Sequence, residues 1–156
     1  MAVKPIPEGY HSVTPYLIIH DATAALEFYK KALGAVELMR FPAPGGKIGH
    51  AEIRIGDSPV MLADESPEMN ARSARTIGGS PVSLMVYVED VDALVAQAVA
   101  AGAKLVRPVA NQFYGDRTGG IDDPFGFHWY IATHIEDVPP DELAKRAAKA
   151  QGSGAD

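Results

Sequence analysis

Two stretches of the chain concentrate side chains that can move protons, hold a metal or pair with an anion. In GHAEIRIG (49–56), Ala51, Ile53 and Ile55 alternate with His50, Glu52 and Arg54. A strand sends alternate residues to opposite faces, so the three polar side chains share one face. Left in solvent, they are an ordinary edge-strand surface. Turned into a cleft, Glu52 and Arg54 would pair, and His50 would offer an imidazole, the side-chain type suited to acid–base catalysis. The second stretch, YGDRTGGIDDPFGFHWYIATH (114–134), adds His128 as a further acid–base candidate. His50, Glu52 and His128 could assemble a metal site, although no ligand spacing demands it.

Most of that second stretch reads as scaffold. Asp122, Asp123, Pro124 and Gly126 have turn chemistry: aspartates bond the turn backbone, proline presets φ and glycine accepts a positive φ. Phe127, Trp129 and Ile131 form the apolar face of a closing strand, with Trp129 in the core. His128, Tyr130 and Ala132 share the other face, and His134 at the strand end is solvated. FPAPGGKIG (Phe41–Gly49) and ANQFYGDR (Ala110–Arg117) read as equivalent loops. Phe113 and Tyr114 could stack on a flat ligand; Arg117 could hold a carboxylate or phosphonate, or pair with Asp116.

The elements that position these residues repeat. VTPYLIIHDATAALEFYKKALGAVEL, from Val13, and VSLMVYVEDVDALVAQAVAAGAKL, from Val82, align with one gap, matching Asp21 with Asp90 and Gly34 with Gly102. Each half opens with an alternating strand. In the first, Val13, Leu17 and Ile19 oppose Thr14, Tyr16, Ile18 and His20; in the second, Val82, Leu84, Val86 and Val88 oppose Ser83, Met85, Tyr87 and Glu89. Asp21 and Asp90 are suited to cap helices that end at Gly34 and Gly102. Their buried stripes are Ala25, Phe28, Tyr29, Ala32 and Leu33, then Val91, Leu94, Val95, Ala98 and Val99. GHAEIRIG and PVMLAD (59–64), separated by Gly-Asp-Ser, predict a hairpin. The plan is one α+β domain over 1–156: a βαβββ half at 13–64, a linker at 65–80, a second βαβββ half at 82–134, a C-terminal helix at 139–150 and a disordered tail at 151–156.

Composition sets limits. The 156 residues are 47% hydrophobic and 22% charged, with a net charge of -6, which argues against nucleic acid or anionic lipid as partner. With 0 cysteines, disulfides, thiolate catalysis and Cys-type zinc sites are excluded. No run approaches the ~18 apolar residues of a membrane span. MAVKPIPEGY lacks the apolar core of a signal peptide, so a cytoplasmic location is expected. No phosphate-binding loop, dinucleotide fingerprint or nucleophile elbow is present.

The paired openings, DATAALEFYKKALGAVEL and DDPFGFHWYI, resemble the vicinal oxygen chelate superfamily of glyoxalases, bleomycin-resistance proteins and extradiol dioxygenases. GDRTGGIDDPFGFHWYIATHIEDVPPDEL is similar to its PhnB-like, glyoxalase-like subgroup. The resemblance spans about Val13 to Val138 and implies a curved mixed sheet forming a cup, with helices outside. In the superfamily's metalloenzymes, four strand positions supply His or Glu to a metal. Those positions match Thr14, Met61, Ser83 and Tyr130 here, and none is a usual divalent-metal ligand. The resemblance therefore implies a protein with neither metal nor other cofactor, binding a small aromatic or antibiotic-like molecule. Tyr16, Met61, Met85, Tyr87 and Tyr130 would line the cup, with Thr14, Ser83, Arg54, Phe113, Tyr114 and Arg117 in reach. The alternative is a glyoxalase-type lyase or isomerase, or a dioxygenase-related enzyme, using His50, Glu52 or His128. A homodimer is expected in either case, because open sheet edges would otherwise be exposed.

Overall fold

A computed structural model describes residues 2–153. The first half runs β1 (Tyr16–Ile19), α1 (Ala22–Leu33), β2 (Val36–Ala43), β3 (Lys47–Ile55) and β4 (Ser58–Asp64). A short helix, α2 (Ala74–Ile77), follows. The second half repeats the plan with β5 (Ser83–Tyr87), α3 (Val91–Ala101), β6 (Lys104–Asn111), β7 (Asp116–Asp122) and β8 (His128–His134), and α4 (Pro140–Gly152) closes the chain. Each half makes one mixed sheet, ordered β1-β4-β3-β2 and β5-β8-β7-β6. The fold is α+β, two βαβββ units. Among the described residues, no helix is long and apolar enough to cross a membrane.

Both helices start as their caps dictate. Asp21 accepts the Ala24 N–H at 3.0 Å and Asp90 accepts the Ala93 N–H at 3.0 Å. A second tie fastens each helix to the last strand of its own sheet. Asp64 accepts the Ala22 N–H at 2.9 Å, and Thr133 accepts the Val91 N–H at 2.9 Å. Gly34 and Gly102 end the helices at φ 66° and 119°.

α1 packs on the first sheet, α3 on the second, and the two helices pack on each other, so one apolar core serves both halves. Its largest fully buried side chains include Trp129, Tyr29, Ile19, Leu26, Ile53 and Leu62. Asp123 joins the halves at its centre. One carboxylate oxygen accepts the backbone N–H of Phe125 and Phe127 (2.9 and 3.0 Å); the other accepts Tyr29 Oη–H from α1 and Trp129 Nε1–H from β8 (2.6 and 2.8 Å). The turn there sits tight on α2. Gly126, at φ 94°, would place a Cβ 2.9 Å from that of Ala74, so only glycine fits.

Several expectations are corrected. The two segments expected as loops hold the ends of strands: β2 runs to Ala43 and β6 to Asn111. β1 starts at Tyr16, so Val13 and Thr14 precede it and Val13 is exposed. Pro15 explains the late start, because proline offers no N–H to a ladder and instead accepts the Met61 N–H through its carbonyl. Val82 and Val99 are exposed rather than core. The linker contains α2, and α4 extends to Gly152, into the expected tail; 154–156 lie outside the described residues.

Candidate functional site

Directly paired residues on neighbouring strands point to the same side of a sheet. The register therefore defines rows across the face of each sheet turned away from its helix, its outer face. In the first sheet one row is Met39 (β2), Glu52 (β3), Met61 (β4) and Tyr16 (β1). The equivalent row in the second is Arg107 (β6), Gly120 (β7), Tyr130 (β8) and Met85 (β5). The internal repeat thus matches a carboxylate with a glycine and a thioether with a guanidinium. The two faces share a plan and differ in charge.

On the first face, Glu52 is 6% exposed and fully engaged. His50 Nε2 lies 3.1 Å from one oxygen, and the Tyr10 hydroxyl donates to the other. A carboxylate can only accept, so Nε2 carries the proton. In the neutral ring, Nδ1 is then a lone pair, and it accepts the Tyr16 hydroxyl at 2.7 Å. A chain of four groups results, Tyr16 to His50 to Glu52 from Tyr10, with every donor matched. Glu52 raises the pKa of the Tyr10 phenol through their hydrogen bond, and burial raises that of Tyr16. Phe41 stacks on His50 with ring centroids 6.3 Å apart. Beside this network a cavity of about 740 Å3 opens where Tyr16 and Ile18 meet Ile48, Ala63 and Met69.

On the second face, the Tyr130 ring is flanked by His128 (4.4 Å, edge-on) and by the Arg107 guanidinium at 5.8 Å. Gly120 makes room for both: a Cβ there would lie 3.1 Å from Arg107 Cβ and 3.2 Å from His128 Cε1. Asp122 bonds His128 Nδ1 at 2.8 Å, leaving Nε2 buried and unpaired. Further along, buried Asp116 accepts the Tyr87 hydroxyl at 2.8 Å and meets His134 Nδ1 at 2.7 Å. Asp116 and then Asp137 raise the pKa of His134, which is held in this network rather than simply solvated.

The structure brings Tyr16, His50, Glu52 and Met61 together on one face, and Met85, Tyr87, His128 and Tyr130 on the other. It does not bring His128 to His50 and Glu52: each histidine has its own carboxylate on its own sheet. Arg54 does not pair with Glu52; it is exposed, and the carboxylate is taken by His50 and Tyr10. Arg117 does not pair with Asp116. Its guanidinium makes a two-pronged contact with Asp92 on α3 (2.8 and 2.9 Å) and bonds Asn111. Residue alternation sends Asp116 outward and Arg117 to the helix side. Phe113 and Tyr114 pack edge-on against each other at 5.3 Å. Ser83 pairs in register with His128, one step from the Tyr130 row, and Thr14 lies before β1.

Tyr10, Met39, Phe41 and Arg107 were not among the expected site residues. Met39, Phe41 and Arg107 lie on β2 and β6, edge strands that contain Pro42 and Pro108 and are largely exposed, so alternation carries little signal there. Tyr10 belongs to a segment with no periodicity.

Residues 10–131 match the Glyoxalase/Bleomycin resistance protein/Dioxygenase superfamily. The chain belongs to that superfamily. The uncharacterized protein Mb0911c of Mycobacterium bovis is 42% identical over 146 residues, covering 92% of this chain and 95% of the relative. Among solved structures, TioX from Micromonospora sp. ML1 is similar at 28% identity and a TM-score of 0.65, over 80% of this chain and 99% of TioX. The PhnB protein of Bacillus cereus shares the fold at 18% identity and a TM-score of 0.61, over 79% of this chain and 99% of that one.

The metal expected of the superfamily's metalloenzymes does not fit the donors here. The positions matched by resemblance, Thr14, Met61, Ser83 and Tyr130, and the observed row-mates Tyr16 and Met85 offer only hydroxyls, phenols and thioethers, where such a dication is held by imidazole or carboxylate. Among the described residues, no group of three or more His, Cys, Asp and Glu could hold a metal ion.

Proposed function

We propose that this protein binds a small, flat, partly aromatic molecule on the outer faces of its sheets, without a metal. The observation that carries the reading is the make-up of the two equivalent rows. Tyr16, Met39 and Met61 in one, and Tyr130 and Met85 in the other, offer adaptable thioether and aromatic contact with a few fixed polar groups. Tyr16 and Met85 are 46% and 47% exposed, much apolar surface for a resting face. The cavity beside Tyr16 has the volume of a small-molecule site.

A homodimer completes the cup in this reading. Beyond the open strand edges, a gap of about 660 Å3 reaches core side chains between the sheets, with Ile55 and Val60 on one side and Leu84, Val86 and Trp129 on the other. A second copy would cover it.

The binding test is a thermal-unfolding screen of flat aromatic compounds in the presence of EDTA, on samples whose mass is measured by light scattering. At least one compound should raise Tm by several degrees, as expected for ligand well above its Kd. Tyr130→Ala should cancel the shift, and the mass should be about twice 16.6 kDa. A panel without effect, or shifts indifferent both to Tyr130 and to Met61→Ala on the first face, would count against the binding faces; a mass of one chain would remove the dimer.

One observation favours a second reading, a glyoxalase-type lyase or isomerase. A buried carboxylate orients His50, whose free lone pair meets a hydroxyl, and that is how an acid–base histidine is usually held.

A further inference from the structure

We propose that the outer face of the first sheet is a phenol-binding site, and that the chain's own Tyr10 occupies it in the resting protein. This rests on the small-molecule reading above and names the chemistry of the ligand. Glu52 is a built receptor rather than a surface charge: it is 6% exposed, and one oxygen is fixed by His50. Its other oxygen faces the site and holds an O–H donor carried on an aromatic ring. The register sets Met39 and Met61 on either side of it, one thioether per flank, with Tyr16 beyond Met61. Two adaptable thioether flanks and one phenol ring around a strong acceptor select a ring that bears a hydroxyl.

The donor comes from the part of the chain with least else to hold it. Residues 2–9 are exposed, and Tyr10 is itself only half-buried. Among the described residues, the inward tie of this segment is the Tyr10 hydroxyl on Glu52; Lys4 to Glu8 and the Tyr10 N–H to the Pro7 carbonyl are local. The exposed residues 2–9 give up no buried surface when Tyr10 leaves, while leaving Glu52 without its donor is costly. A free phenol replaces that donor bond for bond, so displacement is close to an even exchange. An aromatic ether of the same shape cannot replace it, because it has no proton to give. The raised pKa of Tyr10 fits a phenol that stays protonated beside a carboxylate.

The test is a fluorine NMR titration with 4-fluorophenol and, as its donor-free counterpart, 4-fluoroanisole. 4-Fluorophenol should bind at least about tenfold tighter than 4-fluoroanisole, the worth of one hydrogen bond to a charged group. Tyr10→Phe, which removes the competing hydroxyl beside the exposed residues 2–9, should tighten 4-fluorophenol about tenfold by freeing the Glu52 oxygen. Glu52→Gln, which leaves only a neutral acceptor, should reduce the preference several-fold, and circular dichroism checks that it folds. Equal affinities for the two probes, or a Tyr10→Phe protein no tighter than wild type, would overturn the proposal. If neither probe binds while other flat compounds still give Tyr130-dependent Tm shifts, the phenol site falls and the small-molecule reading stands.

Discussion

Asp123→Ala should cost at least about 3 kcal/mol of unfolding free energy. The side chain is 6% exposed and accepts four donors: two turn N–H groups, the Tyr29 hydroxyl and the Trp129 indole. Deleting the carboxylate strands several buried donors, each worth about 1–3 kcal/mol unpaired, and water entering the space recovers part of that. Asp123→Asn should fall between alanine and wild type. Its carbonyl can keep the two backbone N–H groups, but its NH2 then faces the indole N–H, donor against donor. Urea unfolding of the three proteins gives the order directly. An alanine variant within about 1 kcal/mol of wild type would mean that Asp123 does not join the halves.

Trp129→Ala should destabilise by about 3–5 kcal/mol, as for a large aromatic removed from a close-packed core. Trp129 is 2% exposed, and its ring lies 5.5 Å from that of Tyr29, between β8 and the α1 helix of the other half. Packing and hydrogen bonding can be separated. Trp129→Phe keeps much of the ring volume and loses only one donor to Asp123, so its cost should be well below that of alanine. Since Trp129 and Asp123 touch, the double variant should lose less than the two single losses added together. Full additivity would show that the indole N–H does not bond the carboxylate, and a loss below about 1 kcal/mol for alanine would place the strand the wrong way round.

The stretches most legible in the sequence were those where one side of an element is buried and the other is not. Ala51, Ile53 and Ile55 are all buried, and Trp129 and Ile131 face the core, as period-two alternation requires. The helix caps at Asp21 and Asp90 were legible because a carboxylate before an amphipathic run has one good local use. What escaped was either weakly patterned or distant. β2 and β6 are edge strands with most residues exposed, so Met39, Phe41 and Arg107 left no alternation to read. The bond from Tyr29 to Asp123 spans 94 positions, and turn chemistry accounts for an aspartate there without it. The pairings of Arg54 with Glu52 and of Arg117 with Asp116 rested on nearness in sequence alone. Partner choice depends on which acidic side chain the fold brings near, and Asp92 reaches Arg117 only because α3 lies over β7.

The central claim, a binding face that works without a metal, is tested most directly by metal analysis of untagged protein purified without chelator. His50 with Glu52 and His128 with Asp122 are the strongest donor pairs near the two rows, but each pair lies on its own sheet and the two do not converge. Inductively coupled plasma mass spectrometry should therefore find Zn, Ni, Mn and Fe well below one per chain, and the traces should not change in His50→Ala. About one such ion per chain in the wild type, lost in His50→Ala, would contradict the account and make the acid–base network a metal enzyme's site.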